Sequence, residues 1–408
     1  MNIQEYIDEQ KKYYEAILSF LSNEEELEID DELHQILYDQ FNSKEKERMR
    51  SILKLISKIS KNHHRYPTFF NKIEQILDKF SSEIKQTFSN SEIFQIFKSN
   101  KRILYFLFNE KIITPDESLF QFINQNENLS IQFYAYFYPE FKIFFDEKLK
   151  ETIESELKKF EINKDTLELF DEKRKEGEND DYLCQMIRDD SVESFISHVN
   201  RKVISLQNSK IKPSLFETNS LLLKNDPFLF EYAAFYGSIQ IVQYFIHSNV
   251  NFDESLWIYA IHSKNAELVH LLEKVLPPKN PQIILEEAIK CHHNDIADYM
   301  INNVLNEENE IFSIGSNFSK NIYLYGFKYI NYNYFPKDLN HKFIFFYLCQ
   351  YDYLTLVQLF VKYKNIDIKE TIIFKLLRYK SSFFYINSNE VSVNVVSNEV
   401  EFLKLNKI

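Results

Sequence analysis

Between residues 228 and 301 one phrase is written three times. The first copy has Ala233, Gly237, Ile239, Ile241, Val242, Tyr244 and Phe245. The second has Ala260, Lys264, Ala266, Leu268, Val269, Leu271 and Leu272. The third has Ala288, His292, Asn294, Ile296, Ala297, Tyr299 and Met300. The steps are 27 residues (233 to 260) and 28 (260 to 288). A degenerate copy follows at Leu348, Asp352, Leu354, Leu356, Val357, Leu359 and Phe360. This is the pattern of a helix hairpin. A small residue on the first helix admits a neighbour, a break falls four residues later, and a second helix carries apolar pairs. One such hairpin cannot bury both of its faces, so copies must stack on one another. The expected fold class is therefore all-α, with a helix-hairpin solenoid in the C-terminal half.

The N-terminal half also reads as helix after helix. Phe69, Phe70, Ile73, Ile76, Leu77, Phe80 and Ile84 form an amphipathic stripe behind Pro67. Ser89 with Glu92 makes a capping box. Thr114-Pro115-Asp116-Glu117 predicts a helix start with Thr114 as N-cap and Pro115 at the first helical position. The acidic run Glu24–Glu32 is expected to be a solvated face. Ile93, Ile96, Asn100, Ile103, Leu104, Phe106 and Leu107 have the spacing of Ile258, Ile261, Asn265, Leu268, Val269, Leu271 and Leu272. Two arrangements stay open: a separate helical domain, or a solenoid already begun near residue 90. The charged stretch Asp171–Asp181 marks the expected boundary. The domains are then a helical N-terminal region at 1–170, a linker at 171–181, repeats at 182–380 and a tail at 381–408. A second soft stretch is expected at Asn306–Asn321. In the tail, Val391, Val393 and Val395 alternate with polar residues, which suits a short hairpin or a frayed extended end.

Composition excludes much chemistry. The four glycines, Gly177, Gly237, Gly315 and Gly326, are too scattered for a dinucleotide-binding loop, a Walker A loop or a nucleophile elbow. The net charge of −13 argues against nucleic acid as a partner, which needs a basic footprint. The cysteines Cys184, Cys291 and Cys349 are far apart and form no C-x-x-C, so buried, reduced thiols are expected. Met1–Gln10 carries Glu5, Asp8 and Glu9 and no apolar core, unlike a signal peptide. The apolar runs Ile103–Phe108 and Phe343–Cys349 are far shorter than the roughly 18 residues that span a bilayer. An intracellular protein, cytoplasmic or nuclear, with no membrane partner is the expectation.

The segment Phe230–Phe245, FEYAAFYGSIQIVQYF, resembles the ankyrin repeat. There a first helix with Ala-Ala is followed by Gly and by a second helix with paired aliphatic residues. The wider string, from Ser214–Leu223 through Ser255–Leu272 and with Ile93–Leu107 ahead of it, resembles a large ankyrin-like family of unknown function expanded in protozoan parasites. The resemblance implies stacked helix hairpins that bind protein partners. Two departures qualify it. The T-P-L-H turn, whose side chains hold the helix start and bridge repeats, is replaced by Phe228-Leu229-Phe230-Glu231. The period is also shorter than the usual length of about 33 residues. Short loops without projecting fingers are expected.

No catalytic, cofactor or metal site is expected from the sequence. His63-His64 and His292-His293 are adjacent pairs, and neighbours on a helix point about 100° apart. Both pairs are expected in solvated turns, with Cys291 beside His292 the nearest approach to a soft-ligand group. Cys184 and Cys349 each sit in Tyr-Leu-Cys-Gln, which suits a small core residue of a repeat. Trp257 matches Phe230 and Leu285 in register and is expected in the core. Phe235, Tyr236, His262, Ser263 and Lys290 fall between the core positions of the first helices and are the expected protein-binding surface. The loops Asn249–Glu254 and Pro277–Pro281 join them. The expected function is a non-catalytic protein–protein interaction scaffold. The alternative is a recruiting or inhibitory subunit of an enzyme complex.

Overall fold

The computed structural model describes residues 2–25, 27–41, 46–160, 162, 167–305, 317–336 and 342–364. Among these residues the chain is all-α, with twenty-four α-helices and no strand. Lys210 and Phe228 form an isolated antiparallel bridge. The chain divides into two compact units, Met1–Tyr14 with Phe312–Ile408 and Glu15–Ile311.

In the larger unit the three copies become helix pairs, and a further pair precedes them. They are Tyr182–Arg188 with Val192–Lys202, Leu229–Tyr236 with Ile239–His247, Ser255–His262 with Ala266–Val275, and Pro281–Lys290 with Asn294–Tyr299. The last runs on into a π-helical turn, Met300–Val304. Each first helix packs on the next first helix in the series. Ala233, Ala260 and Ala288 sit fully buried at those contacts, where a larger side chain would hold the helices apart. The predicted breaks fall at left-handed residues: Gly237 at φ 70°, Lys264 at 52° and His292 at 59°. Asp190 at 46° ends the first helix of the opening pair. The residue after the break donates its N–H back into the last turn, Ser191 to Met186, Ser238 to Ala233 and His293 to Ala288, each at 3.0 Å. This closure satisfies carbonyls that a helix end leaves open. The degenerate copy, in the smaller unit, does the same: Asp352 lies at φ 61° and Tyr353 donates to Leu348 at 2.9 Å.

The second helices of the three copies bury the same three positions, Ile241, Val242 and Phe245, then Leu268, Val269 and Leu272, then Ile296, Ala297 and Met300. Helix Lys101–Asn109 repeats this profile with Ile103, Leu104 and Leu107. The caps match too. Asn100 accepts from the Ile103 N–H at 3.2 Å and Asn265 from the Leu268 N–H at 3.1 Å. Each Asn also reaches back to an earlier carbonyl, Asn100 to Ser60 and Asn265 to Gly237. Trp257, Cys184 and Cys349 are core residues as expected, and the Trp257 indole donates to the Leu276 carbonyl at 2.9 Å.

The helix start that lacks T-P-L-H is held by Glu231. Its carboxylate accepts the Phe228 N–H at 2.8 Å and the hydroxyl of Ser255 on the next pair. One acid thus holds the helix start and ties it to the next pair. The Ser89–Glu92 capping box forms as predicted. The predicted N-cap Thr114 does not: Asp116 caps helix Glu117–Asn126, because its carboxylate reaches the Leu119 N–H at 2.8 Å.

The expected linker is also different. Residues 171–176 belong to helix Leu167–Glu176, and Arg174 is buried. Its guanidinium donates to the Tyr136 carbonyl at 3.1 Å and to Glu140 at 2.8 Å, with Asp171 on the other nitrogen. Arg174 anchors the run from inside while most of its other charges face solvent, and no boundary between the two units falls at 171–181. The regions expected at 1–170 and 182–380 do not correspond to the two units, since 15–311 is one of them. Of the expected soft stretch 306–321, residues 317–321 lie in helix Asn317–Tyr329, while 306–316 lie outside the described residues. The tail at 381–408, with its Val391–Val395 alternation, also lies outside them, as do repeat residues 365–380.

Candidate functional site

The five residues expected as a binding surface are buried or half-buried, which corrects that expectation. Phe235 is 3% exposed, His262 2% and Ser263 4%. Tyr236 and Lys290 are part-buried. Phe235 and His262 stack at 5.1 Å between ring centroids. The Ser263 hydroxyl turns inward to the Ala260 carbonyl at 2.7 Å. The Tyr236 hydroxyl is buried with no hydrogen-bond partner among the described residues. Burial first, then the carboxylates of Glu178 and Glu217, push this phenol well above its ordinary range.

The covering segment comes from the same chain. Helix Lys46–Asn62 ends at His63, whose ring meets His293 with Nδ1 to Nε2 at 2.9 Å. His293 Nδ1 faces the Ile261 carbonyl at 2.8 Å, so that nitrogen carries hydrogen. His293 Nε2 then accepts, and the His64 N–H points at both His63 Nδ1, at 2.9 Å, and His293 Nε2, at 3.3 Å, so the two rings share this backbone donor. Burial holds His63 and His293 well below the usual histidine range and brings His64 to about 4, with Lys264 nearby in each case. The expected solvated turns at His63-His64 and His292-His293 are thus corrected. His63 and His293 are drawn inside together, each a polar neighbour of the other, and His64 is half-buried beside them.

Arg65 continues the contact. Its Nη1 lies 3.3 Å from the Gly177 carbonyl and 3.5 Å from Glu217 Oε1, and both side chains are buried. Glu217 Oε1 also accepts the N–H groups of Thr218 and Asn219. Nearby Arg188 pairs with Glu178 at 2.9 Å and donates to the Tyr232 hydroxyl at 2.9 Å. These charges had no signal in the sequence, since each belongs to an ordinary polar stretch.

A second cluster joins the last two pairs. His262 Nε2 lies 2.6 Å from Glu287 Oε1, and Lys290 Nζ lies 2.7 Å from the same oxygen. Burial alone would raise Glu287. The hydrogen bond from His262 and the Lys290 charge outweigh it and bring the carboxyl to about 2. Burial pulls His262 down in spite of Glu287. Facing a carboxylate oxygen, the ring donates from Nε2, and its buried Nδ1 has no partner among the described residues. Cys291 completes the group. One ligand atom from each of His262, Glu287 and Cys291 lies within 4.8 Å of the others. A thiol, an imidazole and a carboxylate together are the parts of a nucleophilic triad. Here Cys291 is sealed from solvent and burial pushes its thiol well up, so it stands as a neutral thiol rather than the reactive thiolate. Of the five expected surface residues the structure brings together Phe235, His262 and Lys290 around this cluster. Ser263 lies instead at the next turn, its Cβ 3.1 Å from where a Cβ on Gly237 would stand.

No family model, no curated protein and no solved structure matches the chain. Among the described residues no helix is long and apolar enough to cross a membrane.

Proposed function

We propose that the chain is a non-catalytic protein-interaction scaffold, built on ankyrin-like hairpins stacked as a solenoid, and that it recognises its partner along one edge of the stack. In an antiparallel hairpin the start of the first helix and the end of the second lie at the same end. Tyr182 opens one first helix and Ile283 sits in the first turn of another. Val203 follows the end of a second helix, and Val275 ends the next but one. Leu223 lies just before Leu229–Tyr236. All five side chains are exposed, Val203 by 88%. Single exposed apolar residues are ordinary, but a row of them at one edge is the raw material of an interface core. That row is the observation that carries the reading. The loops Asn249–Glu254 and Pro277–Pro281 lie at the same edge.

The test uses the full chain as bait in a lysate, beside a Val275→Lys/Ile283→Lys variant. Both sites are exposed, so the variant should keep its fold within about 0.5 kcal/mol per site. A protein held by the wild type and released by the variant supports the reading. Equal capture by both baits, or none by either, overturns it. Charged substitutions at Tyr236 and His262 would report on folding instead, because both lie inside.

A further inference from the structure

We propose that His262, Glu287 and Cys291 form a binding site for a thiophilic divalent cation of the zinc class, with the Lys290 ammonium as its competitor. The three side chains offer nitrogen, oxygen and sulfur within 4.8 Å of one another, and all three are buried. Donors around a tetrahedral zinc stand about 3.4 Å apart, given bond lengths of about 2.0–2.3 Å. Side-chain rotations at three residues close that difference. The mixed set suits zinc or cobalt, whereas magnesium and calcium take oxygen ligands.

Local structure places the donors. Glu287 and Cys291 are four residues apart at the end of helix Pro281–Lys290, so they share a face. His262 is the last residue of the preceding first helix, Ser255–His262. A bound cation would therefore tie one hairpin to the next. His262 Nε2 is the nitrogen that faces Glu287, at 2.6 Å, and the buried Nδ1, without a hydrogen-bond partner among the described residues, takes the ring proton when Nε2 ligates as a neutral imidazole.

The charges balance. In the metal-free site the Lys290 ammonium sits on Glu287, and its side chain is 22% exposed, which gives it a way out to water. On binding, the Cys291 thiol releases its proton to solvent and a sulfur–metal bond forms. Lys290 leaves the carboxylate. The divalent charge then meets one thiolate and one carboxylate, and the imidazole coordinates neutral. Three protein donors leave one position for a water.

The experiment takes the full chain, reduced and stripped of metal, and titrates it with cobalt(II). One cobalt per chain should bind and give a thiolate-to-cobalt charge-transfer band in the near ultraviolet, which zinc abolishes by displacement. Cys291→Ser should lose the band, and Cys184→Ser should keep it. Lys290→Ala should tighten cobalt binding on the order of tenfold, because it removes a cation beside the metal. Absence of the band in the wild type at millimolar cobalt overturns the proposal, as does a band that persists in Cys291→Ser. If Cys291→Ser does not fold, Lys290→Ala decides alone, and unchanged affinity there overturns it.

Discussion

Left-handed residues with side chains recur at the helix ends of this chain. Lys111, Asp190, Val203, Asp226, Asn249, Lys264, His292, Ile330 and Asp352 all have φ between 43° and 61°. Such a residue costs roughly 1–2 kcal/mol relative to glycine's freedom there. A chain with four glycines carries that cost wherever a helix must turn back. Val203 is the extreme case, since it is β-branched and exposed. Val203→Gly should therefore stabilise the protein by about 1 kcal/mol, less the entropy that glycine adds to the unfolded chain. A thermal melt reads it, and a lower midpoint would show that the valine makes contacts worth more than its strain. Gly237 is the contrary case: φ is 70° and a Cβ would meet Ser263, so glycine is required twice over. Glu231 is a different kind of single-residue control. Glu231→Ala removes the acceptor for both Phe228 N–H and Ser255, and should cost about 1–2 kcal/mol in a denaturant titration. A loss near zero would mean water replaces the carboxylate.

At the scale of elements, helix Lys46–Asn62 is docked by a histidine that must stay neutral. His63 is held well below its usual value of 6.5 by burial, with Lys264, His292, His64 and His262 facing it electrostatically and His293 in contact. The folded state then binds fewer protons than the unfolded state wherever pH lies below 6.5. Stability is complete above that value and falls as pH drops, by about 1.4 kcal/mol per pH unit for one such group. The melting midpoint should thus decline from pH 7 to pH 5. In His63→Phe the whole curve should lie lower at pH 7, because the polar contact with His293 is gone, and the slope should be shallower by one group. An unchanged slope would show that His63 titrates in the folded state.

At the scale of the molecule, the charged run 171–181 separates two pictures. As a linker, with Lys173, Arg174 and Lys175 in sequence, it would be the first place trypsin cuts. In the structure it is helical to Glu176, Arg174 is buried against Tyr136 and Glu140, and Thr218 binds the Gly177 carbonyl at 2.7 Å. Limited proteolysis should leave 171–181 intact until global unfolding. Early cleavage into fragments near 170 and 240 residues long would restore the linker.

The helix pairs and their breaks were legible because that information is local, whereas the cap expected at Thr114 falls at Asp116. An apolar pair at helical spacing, an Asn before it and a break four residues after an alanine act within a few turns. The degenerate copy ending at Phe360 and the phrase at Ile103–Leu107 could be found in the same way. What covers each face was not legible. His63 meets His293 across 230 positions, and His262 meets Glu287 across 25. The sequence marks Glu287 and Cys291 as sharing a face, but nothing in it brings His262 there. Likewise Arg174 looks like one more solvent-facing charge of its run until Glu140 and Tyr136 supply its partners. Periodicity alone determined that this chain would pair its helices. Only the tertiary structure decided which polar side chains go inside, because a buried charge or imidazole is tolerated solely where a distant segment completes its hydrogen bonds.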